Sequence, residues 1–189
     1  YPDLEELLSD LVDENFEYGG KTKTYPCEPV SQWQIEMRTQ RGKVFRKGDP
    51  VSEQEYSRHS LKIQTKFNEV IKNKGKEISS KFQTKKFAQR WLPPKWGNKK
   101  PYITITSLPD DFVHYKQART PTVRECARIQ TFPDWYQFSG KRTTGGIRRA
   151  GNPRDNNNER EVPKYTQIGN AVPVKLAKYI GIHLAQFLD

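Results

Sequence analysis

A chain of 189 residues with 33% hydrophobic content and a mean hydropathy of -0.95 has room for one domain or two small ones around a thin core. Its 33 lysines and arginines against 22 acids give a formal net charge of +11, which points to a polyanionic partner, nucleic acid before membrane, since no amphipathic basic helix stands out. No run reaches the roughly 18 apolar residues that span a bilayer, no signal-peptide pattern opens the chain, and the unrelated cysteines Cys27 and Cys126 fit a reducing, cytoplasmic compartment and suggest no metal site.

The first predicted element is a short amphipathic helix, with Leu4, Leu7, Leu8 and Leu11 at helical spacing, Asp3 as its cap, and Glu5 and Glu6 near the positive end of its dipole. Gly19, Gly20 and the polar residues after them read as a loop. Residues 41–50 are basic and turn-rich, and Leu61, Phe67, Val70 and Ile71 form a partial helical face over 56–71. His59 reads either as a base contact or as a capping or surface residue.

Residues 72–101 are the most cationic stretch. Lys85, Lys86, Arg90, Lys95, Lys99 and Lys100 stand out there as phosphate contacts, with Phe82, Phe87, Trp91 and Trp96 interleaved. These aromatics either wedge and stack against bases or anchor a solvated loop. Tyr102-Ile-Thr-Ile-Thr106 alternates β-branched residues and predicts a strand.

Thr122 and Glu125 have the spacing of a capping box, so a helix should start near Val123, run through Ala127 and Ile129, and stop before Pro133. Arg119, Arg124 and Arg128 around that helix all need partners. Between Phe138 and Tyr165 the Gly, Asn and Pro content predicts a long loop that either contacts DNA or merely links. In the closing segment Gly169 permits a tight approach, Asn170 can cap, and Pro173 suits a first helical turn. Leu176, Ala177, Ile180, Leu184 and Leu188 then make a helical stripe.

The segment Arg119-Thr-Pro-Thr-Val-Arg-Glu-Cys-Ala-Arg-Ile-Gln-Thr-Phe-Pro-Asp134 and the later Gln167-Ile-Gly-Asn-Ala-Val-Pro173 together resemble the last two motifs of the DNA (cytosine-5)-methyltransferase family. Ser31-Gln-Trp-Gln-Ile-Glu-Met-Arg38, the His59-Ser60 phrase and the Thr104-Ile105 dipeptide are similar to elements of that family's target-recognition region, although His114-Tyr115 replaces its usual His-Pro. The resemblance implies an α+β chain: a small mixed target-recognition domain over 1–118 with its lead-in helix, and a segment over 119–189 whose helices complete an S-adenosylmethionine-dependent methyltransferase α/β core. It implies Gly169, Asn170, Ala171 and Val172 at the donor pocket and Thr104, Ile105 and Arg119 on the DNA side. Arg119 as well, together with Thr122, Arg124, Glu125, Arg128 and Gln130, is implied to organise the seam between recognition domain and core.

The family reaction needs a thiolate to attack C6 of cytosine, a carboxylic acid at N3, and a glycine-rich loop for the donor. Pro-Cys-Gln, Glu-Asn-Val, Phe-x-Gly-x-Gly and Gln-x-Arg-x-Arg are all missing from the sequence. Cys27 lies in Pro-Cys-Glu without a preceding glycine-rich strand end, so it is not assigned catalysis, and Cys126 reads as a packing residue. The chain also opens at Tyr1 rather than methionine, as expected of a piece of something longer. The expectation is a C-terminal half, itself without a catalytic residue or a metal, that binds double-stranded DNA and depends on an N-terminal catalytic half. A DNA-binding module without methyltransferase activity, or the second subunit of a naturally split enzyme, stay open as alternatives.

Overall fold

The computed structural model describes residues 2–76, 79–82, 89–97, 103–143 and 162–187. Within them the chain is a mixture of short helices and two-stranded sheets, an α+β arrangement. Helix α1 (Leu4–Leu8) is held at its start by a reciprocal cap, in which the Asp3 N–H donates to Glu6 Oε2 at 3.0 Å. It tightens into a 3-10 turn over Ser9–Leu11, and Leu4, Leu7, Leu8 and Leu11 are all buried, as their spacing predicts.

Ser31 caps α2 (Gln32–Arg38) by accepting from the Gln34 N–H at 3.1 Å. That helix runs directly into an antiparallel hairpin of β1 (Thr39–Gln40) and β2 (Lys43–Val44). Only two residues, Arg41 and Gly42, connect the strands, and both have positive φ, 49° and 80°. A two-residue turn of that kind matches the natural twist of the paired strands.

Helix α3 (Leu61–Lys72) turns Phe67 and Val70 onto Val113, Ala118 and Trp91, forming a second, smaller apolar cluster. Leu61 does not share this face; it is 80% exposed, because at helical spacing it points about a third of a turn away from Phe67, whereas Ile63 packs on the cluster. Beyond the helix, Gly75 at φ +72° lies so close to Trp91 that an added Cβ would meet that side chain at 2.8 Å. The chain returns as β3 (Arg90–Trp91), parallel to β4 (Phe112–Val113).

No strand forms over residues 103–106, contrary to the alternation of β-branched residues there, and Tyr102 lies outside the described residues. The backbone runs irregularly instead and packs against the end of a later helix. Helix α4 (Val123–Ile129) begins and ends as its capping box and Pro133 predict. Helix α5 (Lys164–Asn170), which the loop-like composition conceals, follows the long connection; residues 144–161 of that connection lie outside the described residues. Asn170 therefore closes α5 rather than capping the next helix, α6 (Val174–Ala185), which follows Pro173. One apolar cluster, from Leu4 through Leu92, Ile105 and Cys126 to Ile168, joins α1, α4 and α5. No helix of the described residues is long and apolar enough to cross a membrane.

Candidate functional site

The centre of the molecule is a set of buried arginines, and each is compensated differently. Arg38, Arg119, Arg124 and Arg128 are all 0% exposed. Arg119 grips the Glu125 carboxylate with both terminal nitrogens, at 2.8 and 2.7 Å, the planar fork that a guanidinium offers a carboxylate. The same carboxylate accepts from the Thr122 N–H at 2.8 Å and so closes the cap of α4. Burial alone would raise the Glu125 pKa, but Arg119, His114 and these hydrogen bonds outweigh it and hold the group at about 2.

Arg128 bridges two carboxylates, donating to Asp134 through Nε at 2.9 Å and to Asp10 through Nη2 at 3.0 Å, with Leu7 O a further acceptor at 2.8 Å. Asp10 also takes Arg38 Nε at 2.7 Å, and Asp134 takes the Tyr25 hydroxyl at 2.6 Å. Among the described residues no carboxylate hydrogen-bonds to Arg124, although Asp134 lies near enough to favour its charge. The Arg124 guanidinium is spread over the carbonyls of Ser52, Pro133 and Tyr136 and the Ser52 hydroxyl, at 2.9 to 3.2 Å. Removing one partner from a buried pair of this kind costs about 3–5 kcal/mol, because a charge is left without compensation.

His114 sits against this system wholly buried. Its Nδ1 accepts from the N–H groups of Lys116 and Gln117 at 3.1 and 3.0 Å, so the proton belongs on Nε2, which stands 3.6 Å from Glu125 Oε1. Burial first, and Arg119 second, push its pKa down to about 3. His59 is half-buried and neutral in the same sense: Nε2 accepts from the Thr120 N–H at 3.3 Å while the ring packs on Phe67 and Tyr18. Burial lowers its pKa as well.

The two motif segments meet through Gln130. Its side-chain amide donates to Ile168 O at 3.1 Å and Ala171 O at 3.3 Å, while its own carbonyl accepts from the Val174 N–H at 3.1 Å. The Thr131 hydroxyl takes the Lys175 N–H at 2.9 Å. One dipeptide of the first motif thus ties down both the end of α5 and the start of α6. Sequence reasoning places Gln130 in the seam but does not show this tether; a side-chain amide just past a helix end, facing a turn with free carbonyls, is the signal for it.

Of the residues expected at a donor pocket, Gly169 is packed while Asn170 and Val172 are exposed, Val172 by 58%. Asn170 Oδ1 accepts from the Ser107 hydroxyl at 3.4 Å, and no acceptor faces its amide nitrogen among the described residues. This turn, with Val172 and Val174 beside one uncommitted amide, offers an apolar surface and a directed donor. Such a surface suits an amphipathic molecule, and S-adenosylmethionine is one.

Of the residues expected on the DNA side, Thr104, Arg90 and Lys95 are exposed. Ile105 is only 4% exposed and belongs to the core, so of that dipeptide Thr104 alone faces outwards. Arg119, expected at DNA, has no exposed edge left for a phosphate, because its guanidinium is wholly occupied inside. Lys85, Lys86, Lys99 and Lys100, like Phe87, lie outside the described residues. Phe82 is buried, and Trp96 is turned inward to Pro2 O and Asp3 Oδ1, so the aromatics described there anchor the chain. Trp91 packs on the second cluster.

The Cys27 thiol lies half-buried beside Asp10, and burial and that carboxylate push its pKa up; Cys126 is fully buried inside α4 and is raised further. Among the described residues no group of three or more His, Cys, Asp or Glu side chains could hold a metal ion.

Comparison with known proteins places these features. The family model described as C-5 cytosine-specific DNA methylase matches residues 14–186. The chain is 32% identical over 203 aligned positions to the type II methyltransferase M.DdeI of Desulfomicrobium norvegicum, covering 100% of this chain and 44% of that protein. It is 39% identical over 93 positions to the type II methyltransferase M.Sau96I of Staphylococcus aureus, covering 47% of this chain and 17% of that one. It is also 43% identical over 76 positions to DNA (cytosine-5)-methyltransferase 1A of Oryza sativa subsp. japonica, covering 40% of this chain and 4% of that one. The chain spans less than half the length of each of these relatives. With a matching model over nearly all of its length and two motif segments tied together through Gln130, the chain belongs to the C-5 cytosine-specific DNA methylase family.

Proposed function

We propose that this chain is the C-terminal half of a DNA (cytosine-5)-methyltransferase. It binds specific duplex DNA, supports flipping of the target cytosine and completes the pocket for S-adenosylmethionine, while an N-terminal half supplies the nucleophile. The observation that carries the reading is the Gln130 tether, which makes one physical unit of the seam and the exposed Asn170 turn. Enzymes of this family generally use S-adenosylmethionine, which supplies an electrophilic methyl group when bound. In this chain Gly169, Asn170, Ala171 and Val172 would form its wall, with the Asn170 amide orienting a polar group of the donor.

The rest of the division of labour follows from exposure and charge. Residues 1–118 form the recognition region with its lead-in helix, and 119–189 the docking segment. Arg119, Thr122, Arg124, Glu125 and Arg128 hold the two together as a neutralised interior. Lys85, Lys86, Arg90, Lys95, Lys99 and Lys100 supply phosphate contacts, which give affinity without reading sequence. Thr104 faces the extruded base, since an enzyme acting on a base's ring takes it out of the stack.

Helix α6 supports the dependence on another half. Its expected stripe is bare, with Leu176, Ile180 and Leu184 at 51, 49 and 57% exposure, and none of its residues is buried. Most of the length of M.DdeI lies outside the aligned region, enough chain to cover it.

Tritium transfer from labelled S-adenosylmethionine to duplex DNA tests the reading, with this chain alone and with the N-terminal half supplied. Transfer only in the mixture is the expected result. Transfer by this chain alone would overturn the assignment of the nucleophile elsewhere and return attention to Cys27. No transfer in either case, with DNA binding retained, would leave a DNA-binding module.

A further inference from the structure

Residues 103–107 and the end of α5 approach more closely than side chains ordinarily allow. A Cβ added to Gly169 would stand 2.7 Å from Ser107 N, 2.7 Å from the Thr106 carbonyl carbon and 2.8 Å from Thr106 O. These are backbone atoms, which cannot swing aside as the end of a flexible side chain can. Gly169 lies inside α5, where an alanine would favour the helix by about 1 kcal/mol. The glycine therefore serves the approach rather than the helix.

The approach has a definite orientation. On one side of the contact is Asn170, whose Oδ1 accepts from the Ser107 hydroxyl at 3.4 Å. On the other, Ile105 is 4% exposed and rooted in the main cluster, which leaves its neighbour Thr104 turned to solvent. The Thr106 hydroxyl, bonded to Asp111, fixes the shape of the loop itself. From Asn170 to Thr104 the path is thus one helix end, one backbone-to-backbone contact and one buried anchor.

We propose that Gly169 and Ser107 are positioning residues that hold Thr104, and with it the base-reading side of the site, at a set distance from the Asn170 turn. The inference rests on the function proposed above, in which Thr104 and Asn170 face the two reactants. Methyl transfer requires acceptor and donor to be brought to near-attack distance, and a displacement of about 1 Å can cost about 100-fold in rate. A contact made of backbone on backbone has little softness, so it transmits position where a side-chain contact would absorb it.

The test uses the complete enzyme, this chain with its N-terminal half, after the wild type has been used to map the methylated site. Gly169→Ala pushes the Thr106–Ser107 backbone away. The expected result is a kcat at saturating S-adenosylmethionine lower by about 10- to 100-fold, with the Kd for DNA within about twofold; the KM for S-adenosylmethionine is not the readout, because Gly169 also belongs to the proposed donor wall. Fluorescence of 2-aminopurine placed at the target base should change in the bound complex, which loss of stability alone would not produce. A variant with wild-type kcat and fluorescence overturns the inference, as does one in which DNA binding weakens in step with a fallen Tm. Should Gly169→Ala not fold, Ser107→Ala and Ile105→Val carry the same test, with an expected kcat loss of about threefold to tenfold at unchanged KM, and unchanged kcat in both overturns it. A wild-type enzyme that transfers no methyl group overturns the proposed function, and this inference with it; wild-type transfer with indifferent variants overturns this inference alone.

Discussion

Two cationic regions of this molecule handle charge in opposite ways. The arginines of the seam, Arg38, Arg119, Arg124 and Arg128, are fully buried and matched by Asp10, Glu125, Asp134 and a set of carbonyls. The cations that flank the lysine-rich stretch, Lys72, Lys74, Lys76, Lys81, Arg90 and Lys95, are exposed. The first group spends its charge on holding α1, α2 and α4 together, and the second has charge to offer a polyanion. A formal net charge therefore says little until it is known which cations are already compensated.

The comparison breaks most visibly at Asp10, the shared partner of Arg38 and Arg128. Asp10→Ala should cost about 3–5 kcal/mol of stability, read by denaturant titration, whereas Lys74→Ala should stay within about 0.5 kcal/mol. An Asp10 variant of wild-type stability would show that the seam is not what holds the helices together.

Acid should find the seam next. In the unfolded chain an imidazole titrates at its ordinary 6.5, but folded His114 takes its proton only at about 3. Between those values the unfolded state binds more protons, so stability falls as pH falls below 6.5, by about 1.4 kcal/mol per pH unit. Glu125, at about 2 folded against an ordinary 4.5, adds its own loss as pH drops below 4.5. A melting temperature that is flat from pH 7 to 4 would contradict both.

The phosphate-binding side proposed above is sharpened by replacing Lys85, Lys86, Lys99 and Lys100 with glutamine. DNA affinity should fall at low salt, and the slope of log affinity against log salt should become shallower by up to about 0.9 for each phosphate no longer neutralised, with Tm unmoved. A smaller effect belongs to Asn170→Ala in the complete enzyme. The KM for S-adenosylmethionine should rise about twofold to tenfold, the worth of one hydrogen bond, while the Kd for DNA holds; the reverse pattern would remove Asn170 from the donor side. Least of all, Cys27→Ser should leave methyl transfer unchanged and stability within about 0.5 kcal/mol.

What could be read without coordinates was local. The cap at Thr122, the buried leucines of α1 and the stop before Pro133 all depend on residues a few positions apart, where helical spacing is itself the signal. One of the two carboxylates of Arg128 was not legible, because Asp10 lies 118 residues away. Helix α5 hid behind a loop-like approach and a glycine whose reason is a contact in another segment. The alternation at 103–106 suggested a strand, but only Ile105 is buried there and no strand pairs with it among the described residues. In the site, the two motif segments and a seam role for Arg119 were readable; that Asn170 closes α5 and that Ile105 points inward were not, since a sequence shows residue type and not what already surrounds it.

Among the described residues, the contacts that hold helix α6 gather at its start. Its first residues are held by Gln130 O, the Thr131 hydroxyl and the contact of Lys175 with Glu36 and Trp33, while Tyr179, Ile182 and Phe187 are exposed further along. A helix of twelve residues is marginal in water without packing, so backbone amides should exchange slowly near Lys175 and quickly towards Gln186. Protection spreading from the start of the helix to its far end on adding another protein would map, amide by amide, the footprint of whatever covers it.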